Sequence, residues 1–419
     1  MLPLFSLPFD RRESLEGGDF VIATYLVFGL SADDALRRLG TFAVGQSLGT
    51  WVRVPGITHE MMERHQARVV GAQPVSSAGE GTYLARVAFP WANIGPSFGM
   101  LFTALMGNDA STSLRVKLVD LELLGAAAGA FRGPRHGIDG LRRLTGVTGR
   151  PLVMNMLKPC TGYSPEVGAN LFYASACGGI DIVKDDELLG NACFNAVGAR
   201  VKAYLAVSLR LRQETGRAPL YLPNITDRPD RMRDHARAVR DAGGRGVMVN
   251  FACTGLDSLA ALTEEFGEEL FFFGHSAAAG MTTSGADHGV AVPILVGLLP
   301  RMAGADAVLA LFAAGTTSAA TNGELLQTVQ AHRLPLGRMC AAVSVLAGGV
   351  TPRNVGLLYR DLGPDTIIAS GGGIQGHPQG ATAGARAVMQ ALEAAVSGRP
   401  LEDAAAEHPE LKKALEYWP

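Results

Sequence analysis

The sequence has few cysteines and no closely spaced cysteine pair. The five cysteines are Cys160, Cys177, Cys193, Cys253 and Cys340. An odd, scattered set without a C-x-x-C pair is typical of reduced thiols and argues against a disulfide framework. The cysteine pattern therefore predicts a cytoplasmic protein.

The sequence also lacks an excess of either charge and lacks a long apolar run. Its 37 basic and 39 acidic residues give a net charge of −2, and no basic stripe interleaved with aromatics stands out, so nucleic acid is not an expected partner. The longest apolar stretch, Val290 to Pro300, is too short to cross a bilayer, so no membrane association is expected. The apolar opening, Met1 to Phe5, has no basic flank and does not read as a signal peptide.

Two different patterns of strands and helices are present instead. The first ~130 residues mix strands and helices as a small α+β domain does. From Arg150 onward a short apolar strand followed by a helix recurs eight times, which is what a (β/α)8 barrel needs; a doubly wound sheet is the alternative, but even spacing favours closure. The predicted barrel strands are Leu152 to Met156, Ile180 to Val183, Leu220 to Ile225, Gly246 to Asn250, Leu270 to Phe273, Ala307 to Leu311, Cys340 to Leu346 and Thr366 to Ala369. We therefore predict an α/β protein with domains at residues 1–135 and 136–419.

The segment that follows the second predicted barrel strand is acidic. Lys184 is followed directly by Asp185, Asp186 and Glu187. Adjacent carboxylates at the carboxyl end of a barrel strand repel one another unless a cation neutralises them, and hard oxygen ligands select Mg²⁺. A lysine with a lowered pKa adds CO₂ to form a carbamate, which offers further oxygens. The alternative is a solvated helix start, because acids suit the first turn of a helix.

Two glycine runs follow the last two predicted strands. Gly348 and Gly349 come after the seventh strand, and Gly371, Gly372 and Gly373 come after the eighth. Barrels commonly hold phosphate at these two positions, since glycine lets backbone N–H groups approach the oxygens. Glycine runs also make turns, but two runs at these positions favour a phosphate cradle.

The acidic segment resembles the metal-binding segment of the ribulose bisphosphate carboxylase (RuBisCO) large-chain superfamily. The resemblance extends over nearly the whole chain and includes Gly49-Thr50-Trp51, Met106-Gly107-Asn108, Gly133 to Ile138, Leu157-Lys158-Pro159 and Gly371 to Pro378. It implies a ferredoxin-like N-terminal domain, a TIM barrel and at least a homodimer with shared active sites.

The resemblance also implies individual roles. Lys184, Asp186 and Glu187 match the Mg²⁺ ligands, with Lys184 carbamylated, and Asp185 is expected to support them. Lys158 matches the lysine that takes a proton from substrate carbon, and a depressed pKa at a buried strand end would suit that base; a surface lysine in a loop is the alternative. The remaining matches are His275, which would contact substrate hydroxyls, and Thr50, Trp51 and Asn108, which would complete the site from a neighbouring subunit.

The chain departs from the carboxylases at several positions. The departures are Cys160 in place of a second lysine, Ser276 in place of a phosphate-gripping arginine, Leu309 in place of a histidine, Ala347 in place of a hydroxyl residue, a Phe312 to Asn322 loop without lysine, and a Gly45-Gln46-Ser47 segment without glutamate. Together they remove groups that a second phosphate or an incoming CO₂ would need.

This pattern indicates a RuBisCO-like protein that does not fix CO₂. The expected reaction is Mg²⁺-dependent formation of an enediolate from a small keto sugar or keto acid with one phosphate. Because a lid without lysine suits CO₂ release, decarboxylation of a 3-oxo-isoapionate 4-phosphate type of substrate is the favoured specific reaction. The alternatives are the enolase or isomerase of methionine salvage acting on a methylthio-sugar phosphate, true ribulose bisphosphate carboxylation, and a catalytically silent scaffold. Retained Lys158, Lys184, Asp186 and Glu187 argue against a scaffold, since buried unpaired charges are costly.

Overall fold

The structure of the chain is a computed structural model that describes residues 9–49, 54–312 and 321–418. Its strands are β1 (Phe20–Phe28), β2 (Arg68–Pro74), β3 (Tyr83–Pro90), β4 (Arg115–Leu123), β5 (Leu152–Met156), β6 (Ile182–Lys184), β7 (Leu220–Leu222), β8 (Gly246–Asn250), β9 (Phe271–His275), β10 (Gly289–Val290), β11 (Ala307–Leu311), β12 (Val343–Ala347) and β13 (Thr366–Ser370).

The helices are α1 (Ala32–Gly45), α2 (His59–His65), α3 (Phe98–Met106), α4 (Asn108–Thr112), α5 (Ala126–Gly129), α6 (Gly137–Thr145), α7 (Pro165–Ala176), α8 (Val197–Thr215), α9 (Pro229–Asp241), α10 (Phe251–Thr254), α11 (Leu256–Phe266), α12 (Gly280–Thr283), α13 (Leu299–Met302), α14 (Asn322–Arg333), α15 (Pro352–Leu362), α16 (Gly372–Gln375), α17 (Ala381–Val396), α18 (Leu401–Glu407) and α19 (Pro409–Tyr417). Across the described ranges, no helix is long and apolar enough to span a membrane.

The chain divides into two compact units. The first comprises Met1–Arg132, Ala279–Leu295 and Leu336–Met339, and the second comprises Gly133–Ala278, Val296–Pro335 and Cys340–Pro419. The domain division predicted after residue 135 lies close to the first of these boundaries, and two later segments also join the first unit. As a domain boundary it stays a prediction.

The first unit contains a mostly antiparallel sheet. Its order is β10-β4-β1-β3-β2, with β1 antiparallel to both β3 and β4, and with β2 antiparallel to β3. Tyr25 in the central strand contacts the ring of Phe42 in α1 and donates a hydrogen bond to the Leu105 carbonyl of α3, so both helices pack on the sheet. The predicted strand Thr50 to Val54 lies outside the described residues except for Val54.

The second unit is a parallel barrel. Within the described residues its sheet has the order β7-β6-β5-β13-β12-β11-β9-β8, and every paired strand runs parallel to its neighbour. A bridge between Asn224 and Met248 joins the two ends of this order and closes the barrel. The predicted α/β class, with an N-terminal α+β domain and a (β/α)8 barrel, is confirmed.

Alternating side chains of the barrel strands form its core. On most barrel strands, residues two apart belong to one buried cluster, as with Met154 after Leu152 and Phe273 after Phe271. This follows from the period of two along a strand, which turns alternate side chains to the same face. The other face of the strands is mostly apolar as well, because helices cover it. The barrel interior is therefore filled, and polar side chains collect where the strands end.

Candidate active site

Strand β6 carries the acidic segment to the carboxyl end of the barrel. Lys184 is the last residue of β6 and lies in register with Met156 of β5 and Leu222 of β7. The carboxylates of Asp185, Asp186 and Glu187 follow immediately. Because the strands are parallel, the ends of β5 and β7 bring their own polar residues to the same rim.

Lys184 is a buried amine with weak partners. The residue is 1% exposed, and its Nζ lies 3.0 Å from the backbone oxygen of Asp185, 3.5 Å from Glu187 Oε2 and 3.6 Å from Met248 Sδ. Burial lowers the pKa of Lys184 below its ordinary value, and the nearby carboxylates only partly offset this effect. The neutral, nucleophilic form of this amine is therefore more accessible than that of an ordinary lysine.

Lys158 follows β5 and pairs with Asp186. Its Nζ donates to Asp186 Oδ2 at 2.6 Å and to Cys160 Sγ at 3.1 Å. Burial acts to lower the pKa of Lys158, but these two hydrogen bonds outweigh burial and leave the pKa above its ordinary value. The predicted depressed pKa is therefore wrong for this arrangement, because a buried carboxylate stabilises the ammonium form. For Asp186, burial raises the pKa and the Lys158 hydrogen bond lowers it, with a net lowering.

Glu187 and His275 face each other across the rim. Glu187 Oε2 lies 3.5 Å from His275 Nε2 and 3.5 Å from Lys184 Nζ. His275 closes β9, and its Nδ1 accepts a hydrogen bond from the backbone N–H of Ala277 at 3.2 Å. Burial, reinforced by the charge of Lys184, holds the pKa of His275 well below its usual value. A neutral ring that accepts at Nδ1 carries its proton on Nε2, so His275 presents a donor to the site.

Asp185 is turned away from the other two acids. Its Oδ2 accepts from Arg200 Nε at 2.8 Å and from the Asn224 backbone N–H at 2.9 Å, while Oδ1 accepts from the Tyr221 hydroxyl at 2.9 Å. Both Asp185 and Arg200 have fully buried side chains. Of the three acids, Asp186 and Glu187 remain available to a ligand at the rim, and Asp185 is engaged within the protein.

Two asparagines on neighbouring strands hold the backbone of the acidic segment. Asn224 Nδ2 donates to the carbonyls of Asp186 at 3.3 Å and Glu187 at 3.2 Å, and Asn250 Nδ2 donates to the Glu187 carbonyl at 3.1 Å. Thr226 connects the two asparagines, since its hydroxyl donates to Asn224 Oδ1 and accepts from the Asn250 backbone N–H. The backbone that carries both carboxylates is therefore fixed from two strands.

Sequence reasoning missed Arg200, Tyr221, Asn224 and Asn250. Only Arg200 carries a recognisable signal, because it occupies the buried stripe of α8 with Val197, Val201 and Tyr204. An arginine at an apolar-face position is almost never buried without a partner, so it predicts a buried carboxylate nearby. The asparagines have no such signal, since their partners are backbone carbonyls on another strand.

The glycine runs lie at the ends of β12 and β13. Gly348 and Gly349 have φ values of +107° and +70°, which only glycine adopts without strain. A Cβ on Gly373 would lie 2.4 Å from the Val350 carbonyl and 2.6 Å from Ser370 Oγ, so this close approach also requires glycine. The Ser370 hydroxyl donates to the Val350 carbonyl at 2.8 Å and thereby connects the two runs.

The glycine runs adjoin the lysine and carboxylate cluster. A Cβ on Gly371 would lie 3.3 Å from Lys158 Cε, so this run starts against the stem of that lysine. The structure therefore brings together Lys158, Lys184, Asp186, Glu187 and His275, with Gly348, Gly349, Gly372 and Gly373 alongside. Thr50 and Trp51 lie outside the described residues, and Asn108 belongs to the first compact unit as the first residue of α4. The roles of these three stay predictions.

The donor set fits a hard divalent ion only if Lys184 contributes. Across residues 9–49, 54–312 and 321–418, no three His, Cys, Asp or Glu side chains are placed to hold a metal. Asp186 and Glu187 supply carboxylate oxygens, the ligand type that Mg²⁺ prefers. A carbamate on Lys184 would add oxygen where the free amine supplies none, and burial lowers the pKa of Lys184, which raises the share of the neutral amine that adds CO₂.

Four of the departures from the carboxylases occupy ordinary structural environments, and residues 313–320 of the loop without lysine lie outside the described residues. Ser276, Leu309 and Ala347 are all buried, and Leu309 and Ala347 belong to the core cluster of the barrel. Cys160 is half-buried and reaches only Lys158 among the residues of the cluster. None of these four side chains is cationic, so they supply no second positive group in place of the missing arginine and lysine.

The barrel and its rim of lysines and carboxylates define the class, an enzyme built on a (β/α)8 barrel. The ribulose bisphosphate carboxylase large chain, catalytic domain, matches residues 137–418, and the chain belongs to this family. A ribulose bisphosphate carboxylase-like protein from Archaeoglobus fulgidus is 35% identical over 94% of this chain and 92% of its own length.

Two further relatives carry different activities in their names. A 2,3-diketo-5-methylthiopentyl-1-phosphate enolase from Geobacillus kaustophilus is 33% identical over 95% of this chain and 98% of its own length. The dimeric archaeal Rubisco from Hyperthermus butylicus is 31% identical, with a TM-score of 0.89 over 98% of this chain and 99% of that one. Since both are similarly close, the fold does not distinguish the two reactions.

Proposed function

We propose that this RuBisCO-like enzyme catalyses a Mg²⁺-dependent enolisation of a small keto sugar that carries one phosphate. The observation that supports it best is the contact between Lys158 Nζ and Asp186 Oδ2 at 2.6 Å. It places an amine that can exchange a proton directly beside a carboxylate that could bind Mg²⁺. Lys184 and Glu187 lie next to that pair. Such a cluster suits proton transfer at a carbon next to a carbonyl.

Lys184, Asp186 and Glu187 would hold the ion. The lone pair of a neutral Lys184 amine adds to the carbon of CO₂, and the nitrogen then loses a proton to give the carbamate. Bound Mg²⁺ would stabilise the negative charge that develops on the enolate oxygens. The lowered pKa of Lys184 supports carbamylation, because the neutral amine is the reactive form.

Lys158 is the proposed base. Burial favours its neutral amine and the hydrogen bond to Asp186 favours its ammonium, so the engagement of Asp186 decides which form is present. When Asp186 Oδ2 binds another group and no longer accepts from Lys158, burial lowers the pKa of Lys158. Its neutral amine can then take a proton from substrate carbon. His275, with its proton on Nε2, would donate a hydrogen bond to a substrate oxygen near Glu187.

The proposed substrate resembles 2,3-diketo-5-methylthiopentyl-1-phosphate. The names of the relatives favour this enolase reaction over decarboxylation of a 3-oxo-isoapionate 4-phosphate, which finds no support among them. Gly348, Gly349, Gly372 and Gly373 would cradle the single phosphate. The buried apolar Leu309 and uncharged Ser276 suit a substrate whose far end is uncharged.

We also propose a cytoplasmic homodimer in which the neighbouring subunit contributes Thr50, Trp51 and Asn108. Support for the dimer comes from the resemblance of these residues to the family motifs and from a similar solved Rubisco described as dimeric. The scattered free cysteines support the location, because they are typical of a reducing compartment.

Proton exchange separates the candidate reactions. The protein is incubated in D₂O with Mg²⁺, bicarbonate and 2,3-diketo-5-methylthiopentyl-1-phosphate, and proton NMR follows the carbon-bound hydrogens next to the carbonyl. We expect their loss together with formation of the enol, and no loss with Lys158→Gln or with a chelator. A protein that leaves this substrate unchanged but releases CO₂ from 3-oxo-isoapionate 4-phosphate would overturn the enolase proposal in favour of decarboxylation.

A further inference from the structure

Arg200 is a buried arginine that forms hydrogen bonds with the acidic segment and with the loop that follows it. It lies in the first turn of α8, is 0% exposed and pairs with Asp185, whose side chain is also 0% exposed. An ion pair without solvent contact is costly to form, because both charges lose their water. A fold retains such a pair most readily where the pair holds a neighbouring segment in place.

The guanidinium uses every donor that it has. Nε donates to Asp185 Oδ2 at 2.8 Å, Nη1 donates to the Asn195 carbonyl at 2.5 Å and to Asn195 Oδ1 at 3.3 Å, and Nη2 donates to the carbonyls of Gly190 and Asn224, each at 3.3 Å. A guanidinium has five N–H donors in a fixed planar fork. One rigid group therefore binds four residues. Asp185 starts the loop after β6, Gly190 and Asn195 lie later in that loop, and Asn224 lies two residues after the end of β7.

The loop in this grip is the one that carries the candidate ligands. It runs from Asp185 to Ala196, and Asp186 and Glu187 lie directly after the residue that Arg200 holds most closely. Tyr221 adds a second anchor to Asp185 through its hydroxyl at 2.9 Å. Since Asp185 lies between Lys184 and Asp186 in the chain, fixing its carboxylate fixes the direction in which both neighbours leave the backbone.

We propose that Arg200 is a positioning residue, which, through Asp185 and the Gly190 and Asn195 carbonyls, sets the spacing of Lys184, Asp186 and Glu187 for a divalent cation. The inference rests on the proposed metal site. It assigns to Arg200 no contact with substrate or ion. Its consequence is that the geometry of the ligands depends on a planar five-donor group and not on positive charge alone.

Replacement of Arg200 by lysine separates the effect of the planar guanidinium from the effect of its charge. Arg200→Lys keeps the charge opposite Asp185 but replaces the fork by a single ammonium, which cannot reach all four sites at once. The matched control is Arg210→Lys on the same helix, where the arginine pairs with Glu214 at 2.7 Å in an exposed position. Tyr221→Phe is the second variant, because it removes one hydrogen bond to Asp185 and leaves the buried ion pair intact.

The measurement is the Mg²⁺ dissociation constant by calorimetry in bicarbonate buffer, at a temperature where circular dichroism shows each variant folded. We expect Arg200→Lys to weaken Mg²⁺ binding roughly 10- to 100-fold, as losses behind the ligands of other metal sites do. Tyr221→Phe should weaken it roughly fivefold, the equivalent of one ordinary hydrogen bond. Arg210→Lys should leave the constant unchanged.

A purely structural role gives a different result. In that case Arg200→Lys lowers the melting temperature while the folded protein binds Mg²⁺ as the unmodified protein does, and the proposal is overturned. If Arg200→Lys does not fold, Tyr221→Phe decides, since unchanged Mg²⁺ binding in that variant also overturns it. If the unmodified protein itself binds no Mg²⁺, the proposed metal site is rejected, and with it the positioning role of Arg200. This outcome differs from the others because it is seen without any substitution.

Discussion

Replacing Lys184 by methionine should make the protein more stable while removing its proposed metal site. Methionine fits the space of the buried side chain without an amine, and Lys184 Nζ has one close partner, the Asp185 carbonyl at 3.0 Å. Breaking that hydrogen bond costs about 1 kcal/mol, whereas relieving the burial of an amine returns several kcal/mol in the best cases. We therefore expect the free energy of unfolding to rise by about 1 to 2 kcal/mol.

Two measurements test this pair of opposite effects. Urea unfolding in metal-free buffer gives the stability, and calorimetry with Mg²⁺ in bicarbonate gives the affinity, which should fall roughly 100-fold because methionine cannot form the proposed carbamate and supplies no oxygen ligand. Lys202→Met on the exposed face of α8 is the control and should change neither quantity. A methionine variant that is clearly less stable, or that still binds Mg²⁺ normally, would refute the reasoning that Lys184 is retained for chemistry against a stability cost.

Three further predictions concern other parts of the barrel. Lys158→Gln should lower kcat roughly 10²- to 10⁴-fold in the enolisation assay with little change in Mg²⁺ affinity, and near-normal turnover would reject Lys158 as the base. Gly372→Ala should leave the melting temperature unchanged, since its Cβ meets no atom within 4 Å, yet raise the substrate KM roughly tenfold by obstructing the phosphate, whereas Gly373→Ala should also lower the melting temperature. Burial lowers the pKa of His332 from 6.5 to about 4, so the unfolded chain takes up this proton first as pH falls. Stability should consequently drop by about 2 kcal/mol between pH 7 and pH 5, and His332→Gln should lose that part of the pH dependence in denaturant titrations.

Periodicity was sufficient for the barrel because each strand is a short, largely apolar run followed by a helical pattern. The predicted strands at Leu152 to Met156, Gly246 to Asn250 and Ala307 to Leu311 have the observed bounds. Others shifted by a few residues: the predicted Ile180 to Val183 is β6 at Ile182–Lys184, since hydrogen bonding to the neighbouring strands, and not hydrophobicity, decides where a strand ends.

The ionisation of Lys158 was mispredicted for a related reason. Burial at a strand end is visible in the sequence, and by itself it lowers the pKa of a lysine. The carboxylate that reverses the effect, Asp186, is 28 residues away and reaches Lys158 only because β5 and β6 are neighbours in the barrel. Sequence spacing carries no information about that distance.

The sequence by itself determined the fold class, the family and the presence of a lysine and three carboxylates at one strand end, because those depend on local order along the chain. Only the tertiary structure decided that Asp185 faces Arg200 and Tyr221 while Asp186 and Glu187 remain at the rim. The physical reason is that a closed sheet fixes which strand ends are adjacent, and each buried carboxylate turns to the donors that this adjacency supplies.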